Sequence, residues 1–474
     1  MPDVTSAPSP DPDAPRRVIV VGAGLAGLTA ALCARDAGWS VVVLEARTRV
    51  GGRVHTQYGG VDGVAFDRGL RAELGGESID DSHTALLGLL RRFGIATERR
   101  PGSTSDRVGR GRFRYRGDTY TFAELMGLRA GRVLNDFLRI DDELLRLVDA
   151  HRVDPEHPEA ARDASALDAQ SFAAWLDTLD LAPEARFFAD HANTSLYNTE
   201  LTELSMLFVA QQVAATAGIP DAASETMRVA NGNATLPNAV AAELGDALIV
   251  DAPVTGVRVR SDGVTVIAQS REYFGAHVII ALPPPPLRNV QFDPPLPERI
   301  AAAVRELDLG AATKVVNQFD TAFWRTGGQS GFSLTDLTYR VSWDAADSYD
   351  APAALLTTYT TADNGRALAA LDPVTRIDRV RAQLADVFPE AAATLSGPAA
   401  TVAWTEEPFT GGGYAVYRPG QVTAHWEPLR RGTHRILFAG EHLVAPAGYM
   451  DSAVRSGIRA AGMLPRIEGT GSAP

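Results

Sequence analysis

A β-branched run, Val18-Ile19-Val20-Val21, passes directly into Gly22-Ala23-Gly24-Leu25-Ala26-Gly27, and no other segment restricts the chain as strongly. A short run of that kind makes a strand buried on both faces, as in a parallel sheet. In the turn after it, Gly22 permits the tight reversal and Gly24 lets the backbone approach a pyrophosphate. Gly27 lets the next helix settle close on the sheet, with its N-terminus aimed at the phosphates. That helix is expected to reach about Ala37 and stop at Gly38. A second strand over residues 41–44 then delivers Glu45 roughly 18 residues after Gly27, close to the spacing of an acid that binds a ribose hydroxyl. A glycine triplet alone is weak, but strand, turn, helix, strand and acid in this order describe a dinucleotide site in an α/β fold.

The remaining composition narrows the class. A chain of 474 residues exceeds one hydrophobic core and points to two domains. Hydrophobic residues at 45% and charged residues at 22% are ordinary for a globular protein. The net charge of −13 argues against nucleic acid or an anionic membrane as partner and favours a cationic or neutral substrate. The single cysteine, Cys33, falls inside the first helix, which excludes a disulfide framework and makes a cytoplasmic location the expectation. Residues 1–15 read as a disordered tail rich in Pro, Asp and Ser. Arg16-Arg17 mimics a twin-arginine signal, but the apolar stretch behind it is the nucleotide strand itself, so cleavage beyond it would destroy the site. No apolar run approaches the roughly 18 residues of a membrane span. No internal repeat and no metal-ligand set is read, and a homodimer is compatible with the chain.

Along the chain, residues 54–88 carry Phe66-Asp67 and a glycine pair, Gly75-Gly76, suited to close backbone contact. Residues 96–225 read as helical, with Phe172, Trp175 and Leu176 as core anchors. Short strands follow at 248–250, 257–260 and 264–268, and Val278-Ile279-Ile280-Ala281-Leu282 is a buried strand halted by Pro283. Residues 300–403 mix helix and strand. A final strand from Arg435 runs into Ala439-Gly440-Glu441, and a helix over 451–463 follows, so both termini are expected to close the nucleotide domain. Lys314 is the only lysine in the protein, in the apolar context Thr313-Lys314-Val315-Val316, where a charge needs a reason. Lysine is a compact donor whose acidity shifts on burial, which suits it to hold a water or accept a proton.

Glu45-Ala46-Arg47-Thr48-Arg49-Val50-Gly51-Gly52-Arg53 resembles the extension found in FAD proteins of the amine oxidase and carotenoid desaturase superfamily. Its glycines allow backbone contact with a second phosphate, and a guanidinium can bind that phosphate bidentately. Further on, Leu309-Gly310, Lys314, Phe319 and Phe323-Trp324-Arg325 are similar to the segment around the flavin-facing lysine of monoamine oxidases. Trp404 with Gly411-Gly412-Gly413-Tyr414, and Ala439-Gly440-Glu441 with Gly448-Tyr449-Met450-Asp451-Ser452-Ala453, continue that pattern in order. The similarity covers roughly residues 16–465, and the chain resembles the FAD-dependent monoamine oxidase family.

The resemblance implies a Rossmann-like FAD-binding domain from 16–88, 228–300 and 405–465, and a discontinuous α+β substrate-binding domain from 89–227 and 301–404. It implies FAD contacts from Gly22, Gly24, Ala26, Gly27, Glu45, Ala46, Arg47, Gly52, Arg53, Gly75, Gly76, Glu77, Val254, Trp404, Gly440, Glu441, Gly448, Tyr449, Met450 and Ala453. Tyr414 and Tyr449 would form an aromatic cage before the flavin, Lys314 would hold a water near its reactive nitrogen, and Trp404 would pack beside the ring. Gly413 stands where mitochondrial members carry the flavin-bonding cysteine, so non-covalent FAD is expected. Ser78 stands where amino-acid oxidases carry a carboxylate-binding arginine, so that clamp is expected to be missing. Glu77 would attract an ammonium, act as a base or bond to backbone. Tyr197, Arg340 and Trp343 fall in cavity-lining segments, with Arg340 alternatively facing solvent.

The activity implied is oxidation of the C–N bond of a small-molecule amine to an imine by hydride transfer to flavin, with dioxygen reoxidising the flavin to hydrogen peroxide. A biosynthetic tailoring oxidase acting on a larger amine or amide, and a flavin-binding protein without turnover, are the alternatives.

Overall fold

The computed structural model describes residues 16–60, 66–67, 69–219, 224–348 and 353–466. The expectation of a disordered tail over residues 1–15 lies outside them. Five parallel strands form the sheet on which the nucleotide site is built, in the order Ile436–Phe438, His277–Ile280, Arg17–Val21, Ser40–Leu44, Leu248–Ile249. The period-two alternation of strand side chains divides its burial. Val18, Val20, Val43, Ile279 and Leu437 face one core with the helices Leu25–Asp36 and Met450–Gly462. Ile19, Val21, Val278, Ile280 and Phe438 face another, which also receives Phe172, Trp175 and Trp426. The two helices touch closely because position 457 is glycine: a Cβ there would lie 2.4 Å from the Ala26 carbonyl oxygen. N- and C-terminal segments thus meet on one face of the sheet.

A four-stranded sheet, Arg271–Gly275, Val264–Ala268, Val254–Val259 and Gln291–Asp293, lies between the parallel strands in sequence. The largest sheet has seven strands, in the order Leu395–Ala403, Ala312–Phe319, Ala354–Thr361, Val341–Asp344, Ser333–Leu334, Arg112–Tyr115, Asp118–Thr121. Its strand Ala312–Phe319, which carries Lys314, is buried along its whole length. The helices Arg132–His151, Pro183–Tyr197 and Met206–Thr216 complete this half. The helical pattern expected over about 96–225 holds for most of that stretch, with one correction. Residues 112–121 form a hairpin on the sheet edge, with Phe113 and Tyr115 buried. Arg116 and Gly117 turn it with φ of +53° and +90°, the left-handed pair that a two-residue hairpin loop requires. Arginine instead of the usual asparagine at the first position hid that signal.

Candidate active site

A cavity of about 380 Å³ opens where the first strand meets its helix. Gly24 caps that helix with no side-chain hydrogen bond, leaving the first N–H groups of Leu25–Asp36 directed outward. A Cβ built on Gly24 would meet nothing within 4 Å and would project into open space, whereas one on Gly27 would lie 1.9 Å from the Gly22 carbonyl oxygen. Position 24 therefore leaves room for a ligand, and position 27 permits the turn. The buried Glu45 carboxylate accepts the Ala23 N–H at 2.7 Å and the Arg47 N–H at 2.9 Å, and it borders the cavity. A helix terminus rich in free N–H groups, an open glycine cradle and a carboxylate beyond it fit the diphosphate and ribose of a dinucleotide.

Around this cavity stand Gly22, Gly24, Ala26, Ala46, Arg47, Gly52, Arg53, Gly76 and Val254, with Gly440, Glu441, Gly448, Tyr449, Met450 and Ala453 from the C-terminal segment. The Arg47 guanidinium is steadied by Thr410 Oγ1 at 2.8 Å and Glu407 at 3.2 Å. Arg53 donates to Glu441 at 2.7 Å and to the Gly413 carbonyl, while Glu441 accepts the Gly448 N–H at 2.8 Å. These bonds tie the early glycine segment to both late ones. The Trp404 indole donates to the Leu74 carbonyl at 3.0 Å, and it packs behind Gly75 instead of lining the cavity. Gly75 lines the second cavity, and a Cβ there would lie 1.7 Å from the Arg53 carbonyl oxygen.

That second cavity, of about 620 Å³, is walled by Tyr197, Phe208, Val209, Phe332, Trp343 and Tyr359 among others. Tyr414 and Tyr449 border both cavities, together with Gly76, Gly448 and Met450. Gly448, at φ +87°, brings its backbone against the Tyr414 ring, 3.4 Å from Cγ to a built Cβ. The Tyr449 ring meets His83 edge-on at 5.2 Å. Burial pushes both phenols up, so each stays neutral across the physiological range. The Tyr359 hydroxyl, which neighbours that of Tyr414, donates to Asn198 Oδ1 at 2.8 Å.

Lys314 Nζ donates to the carbonyl oxygens of Gly75 at 2.9 Å and Glu73 at 3.1 Å and to Glu77 Oε2 at 3.3 Å. Three acceptors occupy its three donors, so the ammonium has none left over for the water expected from sequence. Glu77 in turn binds Arg228 at 2.7 Å and the Trp343 indole at 3.0 Å. Burial opposes its ionisation, but Arg228, Lys314 and Arg100 outweigh burial and hold the carboxyl at about 2. A carboxylate held that low takes no proton from an amine near neutrality, and two cations already occupy it. The base and ammonium-binding roles read for Glu77 are therefore corrected to an internal counter-ion. Glu73, close by, is pushed the other way, to about 7, by burial that the Asn233 N–H and the Thr56 hydroxyl only partly offset.

Arg340 does not line the cavity. It pairs with Glu200 at 3.3 Å, and its side chain is 11% exposed. The segment around Ser78 holds a further surprise. Arg100 reaches Ser78 Oγ at 3.4 Å from a different part of the chain, already neutralised by Asp347 at 2.9 Å. Sequence reasoning missed Arg100, Arg228, Asp347 and Tyr359. Arg228 alone carried a signal, a charge between Met227 and Val229, of the kind that exposed Lys314.

The family model for flavin-containing amine oxidoreductases matches residues 25–464. The AofH protein of Mycobacterium tuberculosis, which carries a provisional flavin-containing monoamine oxidase name, is 30% identical over 453 residues, covering 94% of this chain and 95% of that one. Among solved structures, putrescine oxidase bound to putrescine superposes with a TM-score of 0.84 at 28% identity, covering 94% of this chain and 98% of that one. Cyclohexylamine oxidase from Brevibacterium oxydans IH-35A gives 0.83 at 26% identity, covering 95% and 98%.

Proposed function

Since the chain belongs to the flavin-containing amine oxidoreductase family, we propose that it holds FAD non-covalently in the smaller cavity and oxidises an amine that enters through the larger one. The observation that carries this reading is the position of Tyr414 and Tyr449, which border both spaces. When bound, FAD would supply the two-electron acceptor: the amine loses a hydride and a proton to become an imine, water converts the imine to the carbonyl product and frees its nitrogen as amine or ammonia, and dioxygen takes the two electrons with two protons as hydrogen peroxide. The two tyrosine rings restrict the amine's approach, and their faces favour its polarised nitrogen. Tyr197, Phe208 and Val209 keep the surroundings apolar, which excludes water from the reacting centre. Lys314 and Glu77 brace the Glu73–Glu77 segment, with its glycine pair, by three hydrogen bonds from one ammonium. Gly413 leaves no sulfur for a flavin bond, and a Cβ there would lie 2.7 Å from Asn198 Nδ2 and 2.8 Å from the Ala312 Cβ.

The volume of the larger cavity favours a second reading within the same chemistry, a tailoring oxidase for bulky amines whose imine cyclises. Anaerobic mixing of the yellow holoenzyme with a panel of amines tests the proposal. Bleaching of the flavin by at least one amine, peroxide on admission of air and release of unmodified FAD by acid are expected. A flavin that no amine bleaches defeats it, and a cyclised product selects the second reading.

A further inference from the structure

Every carbonyl oxygen from Glu73 to Glu77 is held by a buried side chain. Lys314 takes those of Glu73 and Gly75, and the Trp404 indole takes that of Leu74. The last two, of Gly76 and Glu77, both accept from Asn233 Nδ2 at 2.8 Å. Asn233 is 1% exposed. Its Oδ1 accepts the Val229 N–H at 3.2 Å, and its own N–H donates to the Glu73 carboxylate at 2.9 Å. These partners fix the side-chain amide, because turning it over would set oxygen against two carbonyls and nitrogen against an N–H.

A trans peptide points its N–H opposite to its C=O. The N–H groups of Glu77 and Ser78 therefore face away from Asn233 and lie side by side, since one nitrogen holds both of the opposing carbonyls. The N–H groups of Leu74 and Gly76 are spent on the carbonyls of His55 and Arg53, whereas those of Gly75, Glu77 and Ser78 have no acceptor among the described residues. Gly76, Glu77 and Ser78 line the larger cavity, and Gly76 lines the smaller one as well. Two successive N–H groups on one side make a seat for negative charge, and this pair lies beside the junction of the two spaces.

We infer that Asn233 is a positioning residue for the flavin: by drawing two carbonyls inward, it presents the N–H groups of Glu77 and Ser78 to the negative charge that reduction brings. A flavin that takes up two electrons and one proton gains one such charge, and donors already in place stabilise it without reorganising. The role rests on the FAD-binding reading above, and no amine is needed to test it.

The holoenzyme is reduced anaerobically beside a dye of known potential, and the midpoint potential of the flavin is read from the two spectra. Asn233→Leu removes both donors with little change of volume. Its reduction equilibrium should fall roughly ten- to hundredfold, about 30 to 60 mV for a two-electron couple. Asn233→Ser, which keeps one hydroxyl donor, should lie between it and the parent. Val240→Ala, which opens a cavity under the helix Thr235–Leu244 that follows Asn233, should lose stability but keep the parental potential. A parental potential in Asn233→Leu, or an equal fall in Val240→Ala, overturns the assignment. So does loss of flavin from both Asn233 variants while Val240→Ala stays yellow, which marks a purely structural residue. A parent that takes up no flavin overturns it together with the reading on which it rests, whereas a flavin that no amine reduces leaves these potentials measurable and defeats only the amine-oxidase reading.

Discussion

The two cavities that meet at Tyr414 and Tyr449 are made of different material. The smaller is built largely from main chain: Gly22, Gly24, Gly52, Gly440 and Gly448 bring backbone to its edge, and a helix N-terminus supplies its donors. The larger is built from side chains brought in by three helices and a seven-stranded sheet, and much of its polarity resides in charges that neutralise one another. A site made of backbone tolerates many changes of side chain but not an added Cβ. A site made of side chains yields to single substitutions, and its charges make it respond to pH.

The largest expected effect tests the backbone half. In Gly27→Ala the new Cβ would lie 1.9 Å from the Gly22 carbonyl oxygen and 3.0 Å from the Ala281 Cβ. Backbone cannot step aside as a flexible side chain would, so helix and turn must separate. The variant should purify without yellow colour, with flavin occupancy by absorbance below about a tenth of the parent's, a loss equivalent to the upper part of the overpacking range. Full occupancy would show that the turn has slack and that the contrast between the two halves is overdrawn.

Next comes the charged floor of the larger cavity. Glu77→Gln leaves Arg228 and Lys314 without their shared anion and should lower the unfolding free energy by about 3–5 kcal/mol near neutrality. The folded carboxyl lies at about 2, below its ordinary range. Its contribution is therefore complete above that range and fades as pH falls toward 2, so the deficit of the variant should shrink in acid. Glu73 has the opposite sign. Held at about 7, it contributes below the ordinary carboxylate range and loses that contribution as pH rises through neutrality. Denaturant unfolding of the parent and Glu77→Gln at neutral and acidic pH decides the matter, and a deficit independent of pH would mean that packing, not charge, accounts for it.

This division also explains what the amino-acid sequence disclosed. The strand, turn, helix and acid of the smaller cavity are contiguous between Arg17 and Glu45, and their glycines are needed for local steric reasons, so they could be read directly. Lys314 was legible because a lone lysine in an apolar strand is conspicuous, but its three acceptors lie about 240 residues earlier in the chain, and nothing local announced that they would saturate it. For Arg340, just before the strand Val341–Asp344, sequence position alone does not say which neighbour claims the guanidinium, and here Glu200 does. Arg100, Arg228 and Asp347 meet only through tertiary folding. Charge pairing across distant segments is what the sequence withholds.

The smallest effect is expected at the boundary itself, where the two materials meet. Tyr414 ends the turn Gly411-Gly412-Gly413, and its ring lies against the Gly448 backbone, so a main-chain feature positions a side-chain feature. Its hydroxyl neighbours that of Tyr359, which is anchored on Asn198. Removing only the hydroxyl in Tyr414→Phe keeps the ring face and the glycine contact and costs no more than one neutral hydrogen bond, so flavin reduction by a good amine should slow by roughly twofold to tenfold at most. Tyr414→Ala removes the face as well, and the amine loses one of the two surfaces that restrict its approach; losses of order 10- to 100-fold are expected from orientation of this kind. The same order, alanine worse than phenylalanine, should hold at Tyr449, whose ring rests on His83. Single-turnover reduction rates at saturating amine separate this from weakened binding, because a positioning defect lowers the limiting rate as well as the affinity. If alanine proves as harmless as phenylalanine at both positions, the reacting nitrogen is not held between these rings, and the junction of the two cavities is a partition, not a cage.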